Sequence, residues 1–175
     1  NLLVFRPADS RETVAGWLTA LTAGLPTCLV LTRQDLPLYA GSGRNAMRGG
    51  YVLSDCDNGT PDVLLMASGS EVEQMMQAQA LLKDRGVAAR VVSMPCMELF
   101  EMQDEAYRQS VLPKAVRARV AMEAGICQSW QRYVGLDGAV IGMEGFGASG
   151  PAKQLFAHFG FTAENAVEKA LALLK

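Results

Sequence analysis

The chain has 175 residues, of which half are hydrophobic and 19% are charged, with 16 Lys and Arg against 18 Asp and Glu. That composition excludes a disordered acidic segment, and the net charge of −2 argues against a protein that wraps nucleic acid. Apolar runs such as 63–67 fall far short of the roughly 20 residues a transmembrane helix needs. The first residues, Asn1-Leu2-Leu3-Val4-Phe5-Arg6, carry neither an initiator Met nor a signal-like pattern and read as a strand cut from a longer chain. Cys28, Cys56, Cys96 and Cys127 are widely spaced and only one histidine, His158, is present. Zinc knuckles, dithiol redox motifs and His-based metal sites are thereby excluded. Cys28 and Cys96 read as reduced, buried thiols, and the absence of a targeting signal points to the cytoplasm.

In chain order, 2–5 is a short strand ended by Pro7. Asp9 and Glu12 form a capping box that opens a helix over 10–23, with Val14, Trp17, Leu18 and Leu21 as its expected buried stripe. Gly24 and Pro26 close it, and 27–32 is a β-rich run, which completes one βαβ unit. Residues 36–49 are rich in Gly, Pro, Asn and Ser and read as an interdomain linker. Beyond it, strands are expected at 62–67, 88–93, 118–122 and 139–143. Helices are expected at 71–85, 102–110, 127–134, 151–159 and 163–174. This alternation implies an α/β fold, a three-layer α/β/α sandwich with a mostly parallel sheet.

Several motifs carry candidate chemistry. Gly145-Phe146-Gly147-Ala148-Ser149-Gly150 is a literal G-x-G-x-x-G between a strand and a helix, with Pro151 at the expected first helical position. The chain after it is helical, so the acid-bearing second strand of a dinucleotide site has no place, and a glycine-rich helix start is the better reading. Ser70 and Glu73 fit a capping box at the turn after 62–67. Arg33 follows a strand directly, where α/β sheets bind ligands, and its planar fork suits a phosphate or carboxylate; an ion pair with Asp35 is the competing reading. Glu123 holds the equivalent place after 118–122, as a ligand group or, more simply, a cap or interface hydrogen bond. His158 reads as a helix-end residue, Met75 and Met76 as helix packing, and Trp130 and Tyr133 as core or interface anchors.

Consecutive blocks of the chain resemble transketolase. They are Phe5-Arg6-Pro7-Ala8-Asp9, Leu31-Thr32-Arg33-Gln34-Asp35-Leu36-Pro37 and Arg48-Gly49-Gly50-Tyr51-Val52-Leu53. Ala67-Ser68-Gly69-Ser70-Glu71-Val72, Val91-Val92-Ser93-Met94-Pro95 and Ser110-Val111-Leu112-Pro113-Lys114-Ala115 follow. Glu123-Ala124-Gly125, Tyr133-Val134-Gly135 and Phe146-Gly147-x-Ser149-x-Pro151-Ala152 complete the series.

The resemblance covers only the end of a transketolase. It implies that 1–43 is the end of the pyrimidine-binding domain with its linker, and that 44–175 is the C-terminal domain. It further implies transfer of a two-carbon ketol unit from a ketose phosphate to an aldose phosphate, in the pentose phosphate pathway, by a homodimer using thiamine diphosphate and a divalent cation, Mg or Ca. The cofactor and metal motifs of the family lie upstream, so this piece alone is expected to bind neither and to be inactive. One family position carries over, the arginine that binds the substrate's terminal phosphate, which matches Arg33. The chain departs from the family at Cys96-Met97-Glu98-Leu99, at Gly150, and in a 40–47 linker that is short and lacks an acidic helix. Two other readings remain open: a separate subunit that pairs with a cofactor-binding partner, and part of another thiamine-dependent enzyme. An uncovered half-domain predicts self-association.

Overall fold

The computed structural model describes residues 1–175. Strand β1 (Leu3–Phe5), helix α1 (Ser10–Thr22) and strand β2 (Thr27–Leu29) form a βαβ unit with parallel strands. A second sheet follows, built from β3 (Tyr51–Ser54), β4 (Val63–Ala67), β5 (Ala89–Ser93), β6 (Arg119–Ile126) and β7 (Ala139–Met143). Its order is β3-β5-β4-β6-β7, parallel throughout except for the antiparallel edge strand β3. Helices α2 (Val72–Lys83), α3 (Met97–Glu101), α4 (Glu105–Val111), α5 (Gln131–Val134), α6 (Ala152–Phe159) and α7 (Ala163–Leu173) complete the chain.

Strand β4 explains the layering. All five of its residues are fully buried, as expected of a central parallel strand covered on both faces. Val63, Leu65 and Ala67 join the core on the side of α2 and α7, while Leu64 and Met66 join Phe100, Trp130 and Tyr133 on the side of α3–α5. Alternation along one strand thus feeds two cores, and the sheet is the middle of three layers.

The βαβ unit is tied to the larger sheet by polar contacts. Asp9 caps α1 by accepting from the Glu12 amide at 2.8 Å. Glu12 reaches back to the Ala8 amide at 2.7 Å, one residue before the cap. Its other oxygen accepts from Tyr51 Oη of β3 at 2.7 Å and from Ser93 Oγ of β5 at 2.6 Å. Glu12 is fully buried with no cation against it, and burial pushes its carboxyl above the ordinary range despite these donors.

That arrangement corrects the expected stripe of α1. Its buried residues are Glu12, Ala15, Gly16 and Thr19, whereas Val14, Trp17, Leu18 and Leu21 are exposed. The helix lies close on its strands through Gly16, where a Cβ would meet Phe5 and Leu29 side-chain atoms at 2.9 Å, so small residues face inward. Leu2, Val4, Val30 and Leu31 extend the exposed apolar surface.

Other expectations need correction as well. Strand β2 ends at Leu29 rather than 32, and Cys28 is exposed on it, while Cys96 is buried. The 36–49 segment carries a 3-10 turn at Arg44–Arg48 and two buried anchors, Tyr39 and Ala46. Strand β3 was not expected, because four residues of alternating burial behind Gly49-Gly50 give a weak signal. Gly49 has φ +84°, and a Cβ there would lie 2.3 Å from both the Cys96 carbonyl and the Phe100 amide, so only glycine permits the approach. The helix expected at 102–110 starts later, at Glu105, where Asp104 caps α4, and a separate short helix, α3, precedes it at Met97–Glu101. Pro151 is the cap of α6 rather than its first residue. The Ser70–Glu73 box is absent: Ser70 Oγ donates to Glu71 Oε2 instead, and a 3-10 turn at Gly69–Glu71 precedes α2.

Glu12→Ala strands two buried hydroxyls and is expected to cost about 2–4 kcal/mol by chemical denaturation; a loss within 0.5 kcal/mol would show that the tie is dispensable. Because its folded pKa is raised, Glu12 contributes most below the unfolded value near 4.3, and that contribution is lost as pH rises through the folded one. The stability of the wild type relative to Glu12→Gln should therefore fall as pH rises above the unfolded carboxyl range; a flat difference would contradict this. The exposed face of α1 predicts concentration-dependent association of the chain by sedimentation velocity, reduced by Trp17→Glu with Leu21→Glu; a wild-type chain that stays monomeric at high concentration would contradict it.

Candidate functional site

The parallel pairing of β1 and β2 sets both carboxyl ends on one side, with the Val30 amide donating to the Phe5 carbonyl at 2.9 Å. Arg6 follows β1 and Arg33 lies four residues beyond β2. Between them is a cavity of about 270 Å³ lined by Arg6, Pro7, Thr32, Arg33, Gly69 and Ser70, among others. Arg33 is exposed and takes part in no ion pair or side-chain hydrogen bond, so the competing pairing with Asp35 is not formed. The Thr32 hydroxyl donates to the Gln34 side chain and accepts from the Gln34 amide, which folds the loop around Arg33. A second, polar cavity of about 490 Å³ shares Gln34 and Ser70 with the first and adds Asp35, Glu73, Gln77 and Lys153.

Arg6 is held quite differently. In the larger sheet β5 and β6 lie on opposite sides of β4, which makes the carboxyl ends of β4 and β6 a topological switch point. Open α/β sheets take ligands in that crevice. Here the Arg6 guanidinium fills it. Arg6 Nη1 donates to Ser68 Oγ at 2.9 Å and lies 2.7 Å from Glu123 Oε1; Nη2 lies 3.5 Å from Glu71 Oε1.

The acids are positioned in turn. Trp130 Nε1 donates to Glu123 Oε2 at 2.6 Å, and Ser68 Oγ lies 3.3 Å from the same oxygen. The β6–β7 register breaks between Met122 and Ile126, and the freed Ala124 amide donates to Glu71 Oε1 at 2.7 Å. The main chain closes the arrangement. The Gly69 amide donates to the Arg6 carbonyl at 3.0 Å, and the Arg6 amide donates to the Pro95 carbonyl at 2.7 Å. Gly69 has φ +59°, and a Cβ there would stand 3.4 Å from Arg6 Nη2.

The two arginines therefore differ in chemical capacity. Arg33 offers an unpaired planar fork to an anion, while Arg6 is spent on two carboxylates. Glu123, open between two readings in the sequence, makes an interface ion pair and hydrogen bond. Arg6 is a site residue missing from the sequence candidates, and the signal that finds it is the one that marks Arg33 and Glu123, a polar group just past a strand's carboxyl end.

The remaining candidates lie elsewhere. The Gly145–Gly150 run is exposed beyond β7, and α6 and α7 follow with no further strand, as a glycine-rich helix start requires. His158 is exposed in the last turn of α6 against Phe159. Met75, Trp130 and Tyr133 are buried in the cores. Burial pushes the Cys96 thiol up to about 12, so it is no thiolate nucleophile at neutral pH. No helix is long and apolar enough to cross a membrane.

Comparison with known proteins agrees with this architecture. The family described as Transketolase-like TK C-terminal domain matches residues 49–162. Transketolase 1 of Escherichia coli is 49% identical over 178 residues, which is 99% of this chain and 27% of that protein. Transketolase of Geobacillus stearothermophilus is 45% identical over 179 residues, with the same two coverages. Among solved structures, a transketolase from Leishmania mexicana superposes with a TM-score of 0.92 at 40% identity, over 99% of this chain and 25% of that one. A transketolase complex with sedoheptulose-7-phosphate from Pichia stipitis gives 0.91 at 38% identity, with the same coverages. The chain spans about a quarter of the length of these relatives. With the match extending over most of the sheet and its helices, the chain belongs to the transketolase-like C-terminal domain family.

Proposed function

We propose that this chain is the C-terminal part of a transketolase that moves a two-carbon ketol unit from a ketose phosphate to an aldose phosphate, and that Arg33 binds the terminal phosphate of the sugar. The observation that carries this reading is the unpaired Arg33 guanidinium, exposed at the rim of the cavity beyond β2. A guanidinium matches two phosphate oxygens with parallel charge-assisted hydrogen bonds, and its charge does not titrate away. Residues 1–43 are read as the end of the pyrimidine-binding domain with its linker, and 44–175 as the C-terminal domain. The intact enzyme is read as a cytoplasmic homodimer.

Thiamine diphosphate, with its divalent cation, supplies the carbanion chemistry of such an enzyme when bound. The residues of this chain do not fit that group. No three His, Cys, Asp or Glu side chains converge in a way that could hold a metal ion, and the crevice at the switch point is filled by Arg6. The role proposed for the chain is to orient the phosphate end of the substrate, while the reacting carbons lie against residues contributed from elsewhere. The separate-subunit reading has a fold precedent in a chain described as "Split gene transketolase, inactive beta4 tetramer", with a TM-score of 0.79 at 21% identity.

In the complete enzyme, Arg33→Ala should raise KM for phosphorylated donors by removing an interaction of about 1.5–3 kcal/mol, and leave unphosphorylated hydroxypyruvate little changed. Equal losses with both donors would make Arg33 structural. Titration calorimetry of the 175-residue chain should show no stoichiometric binding of thiamine diphosphate with Mg; tight binding would contradict the assignment of the cofactor site to other residues.

A further inference from the structure

The switch-point crevice and the cavity in front of Arg33 share a wall, and that wall is Arg6. Two guanidiniums therefore border one cavity, in different electrostatic states. Arg33 has no acidic partner. Arg6 has two, Glu123 at 2.7 Å and Glu71 at 3.5 Å, so the cluster joins one positive charge to two negative ones. A second free guanidinium is the simplest way to strengthen an anion site. This fold places one at the cavity and cancels it.

Glu123 is the stronger of the two partners. It is the nearer acid, and its other oxygen is fixed by Trp130 Nε1, so the carboxylate cannot turn away from Arg6 without breaking a 2.6 Å hydrogen bond. The Arg6 and Glu123 side chains are 21% and 18% exposed, so the charge they carry is felt in the cavity with only partial screening.

The geometry points to Glu123 as an affinity-setting residue of the phosphate site: it holds Arg6 against Ser68 and cancels its charge, so that of the two guanidiniums this chain brings to the cavity only Arg33 is free to grip the anion. The inference rests on the phosphate reading of Arg33 given above. Its logic is that of uniform binding. A tighter hold on a phosphate remote from the reacting carbons stabilises ground and transition states alike, lowers KM without raising kcat, and slows product release. Glu123 is a positioning residue in this account, acting on substrate through Arg6.

The test is steady-state kinetics of the complete enzyme carrying Glu123→Gln, which keeps an oxygen to accept from Trp130. KM for a ketose phosphate donor and the inhibition constant of inorganic phosphate should both fall, about three- to tenfold, while KM for hydroxypyruvate stays unchanged. The gain should vanish when Arg6→Ala is added. A merely structural role for Glu123 predicts the opposite sign, a raised KM with a lowered Tm. A raised or unchanged KM for the phosphorylated donor in a folded variant overturns the inference. Glu71→Gln, which removes the more distant acid, is the second variant should Glu123→Gln not fold; the same direction is expected, and the same results overturn the inference. Arg33→Ala, measured alongside, separates the two levels. If it leaves the phosphorylated donor unaffected, the phosphate reading itself fails; if it responds while Glu123→Gln gives no gain, only the role of Glu123 fails.

Discussion

Arg6 is seated between Ser68, Glu71 and Glu123, and the relation of the N-terminal βαβ unit to the larger sheet depends on that contact. The residue stands at the carboxyl end of β1, yet its guanidinium occupies the switch point of a different sheet. An open α/β sheet leaves a crevice there because neighbouring crossovers run to opposite sides. In this chain the crevice is closed by a side chain rather than left for a ligand. Breaking the contact would expose two carboxylates, one of them fully buried, and this is among the more costly changes a fold can suffer. The seating of Arg6 also fixes the floor of the cavity that Arg33 borders, through the hydrogen bond from Gly69 to the Arg6 carbonyl.

A second tie works alongside the first and is also polar. Glu12 takes donors from β3 and β5, so α1 is fastened to the larger sheet by its acidic side and to its own strands by Gly16. These requirements place small and polar residues on the inward face of α1. Its large apolar residues are left on the outward face, where they form a surface suited to further packing. The buried apolar strands of the larger sheet supply the bulk of the burial, while the two polar ties set the orientation of the smaller unit upon it.

The fold was legible wherever burial was complete on both faces. β4 and β5, buried at every position, match the expected bounds within a residue, because a central parallel strand between two helical layers reads as a β-rich, largely apolar run; β7 is half-buried apart from Ile141 and is legible from its apolar sequence alone. Legibility failed where tertiary contact overrode periodicity. Val14, Trp17, Leu18 and Leu21 obey helical spacing perfectly and still face outward, since a buried Glu12 decides which side of α1 turns in. β3 was missed because it is an antiparallel edge of four residues, and α3 because a five-residue helix has no period to read. Ser70 and Glu73 match a capping box in sequence, but Glu71 is claimed by Arg6 and Ala124, and the first turn tightens to a 3-10 form.

At the site, Arg33 is legible from its place after a strand, and the family resemblance implies the phosphate role proposed for it. The pairing of Arg6 with Glu123 could not be read in the same way, because it joins residues more than a hundred positions apart and depends on a break in the register of β6. A structure of the complete enzyme with a ketose phosphate bound tests the account most directly. The account places the Arg33 guanidinium within hydrogen-bond distance of the phosphate oxygens, with Arg6 still held by Glu123 and Glu71. A phosphate bound away from Arg33, or one that draws Arg6 off its two carboxylates, would contradict it.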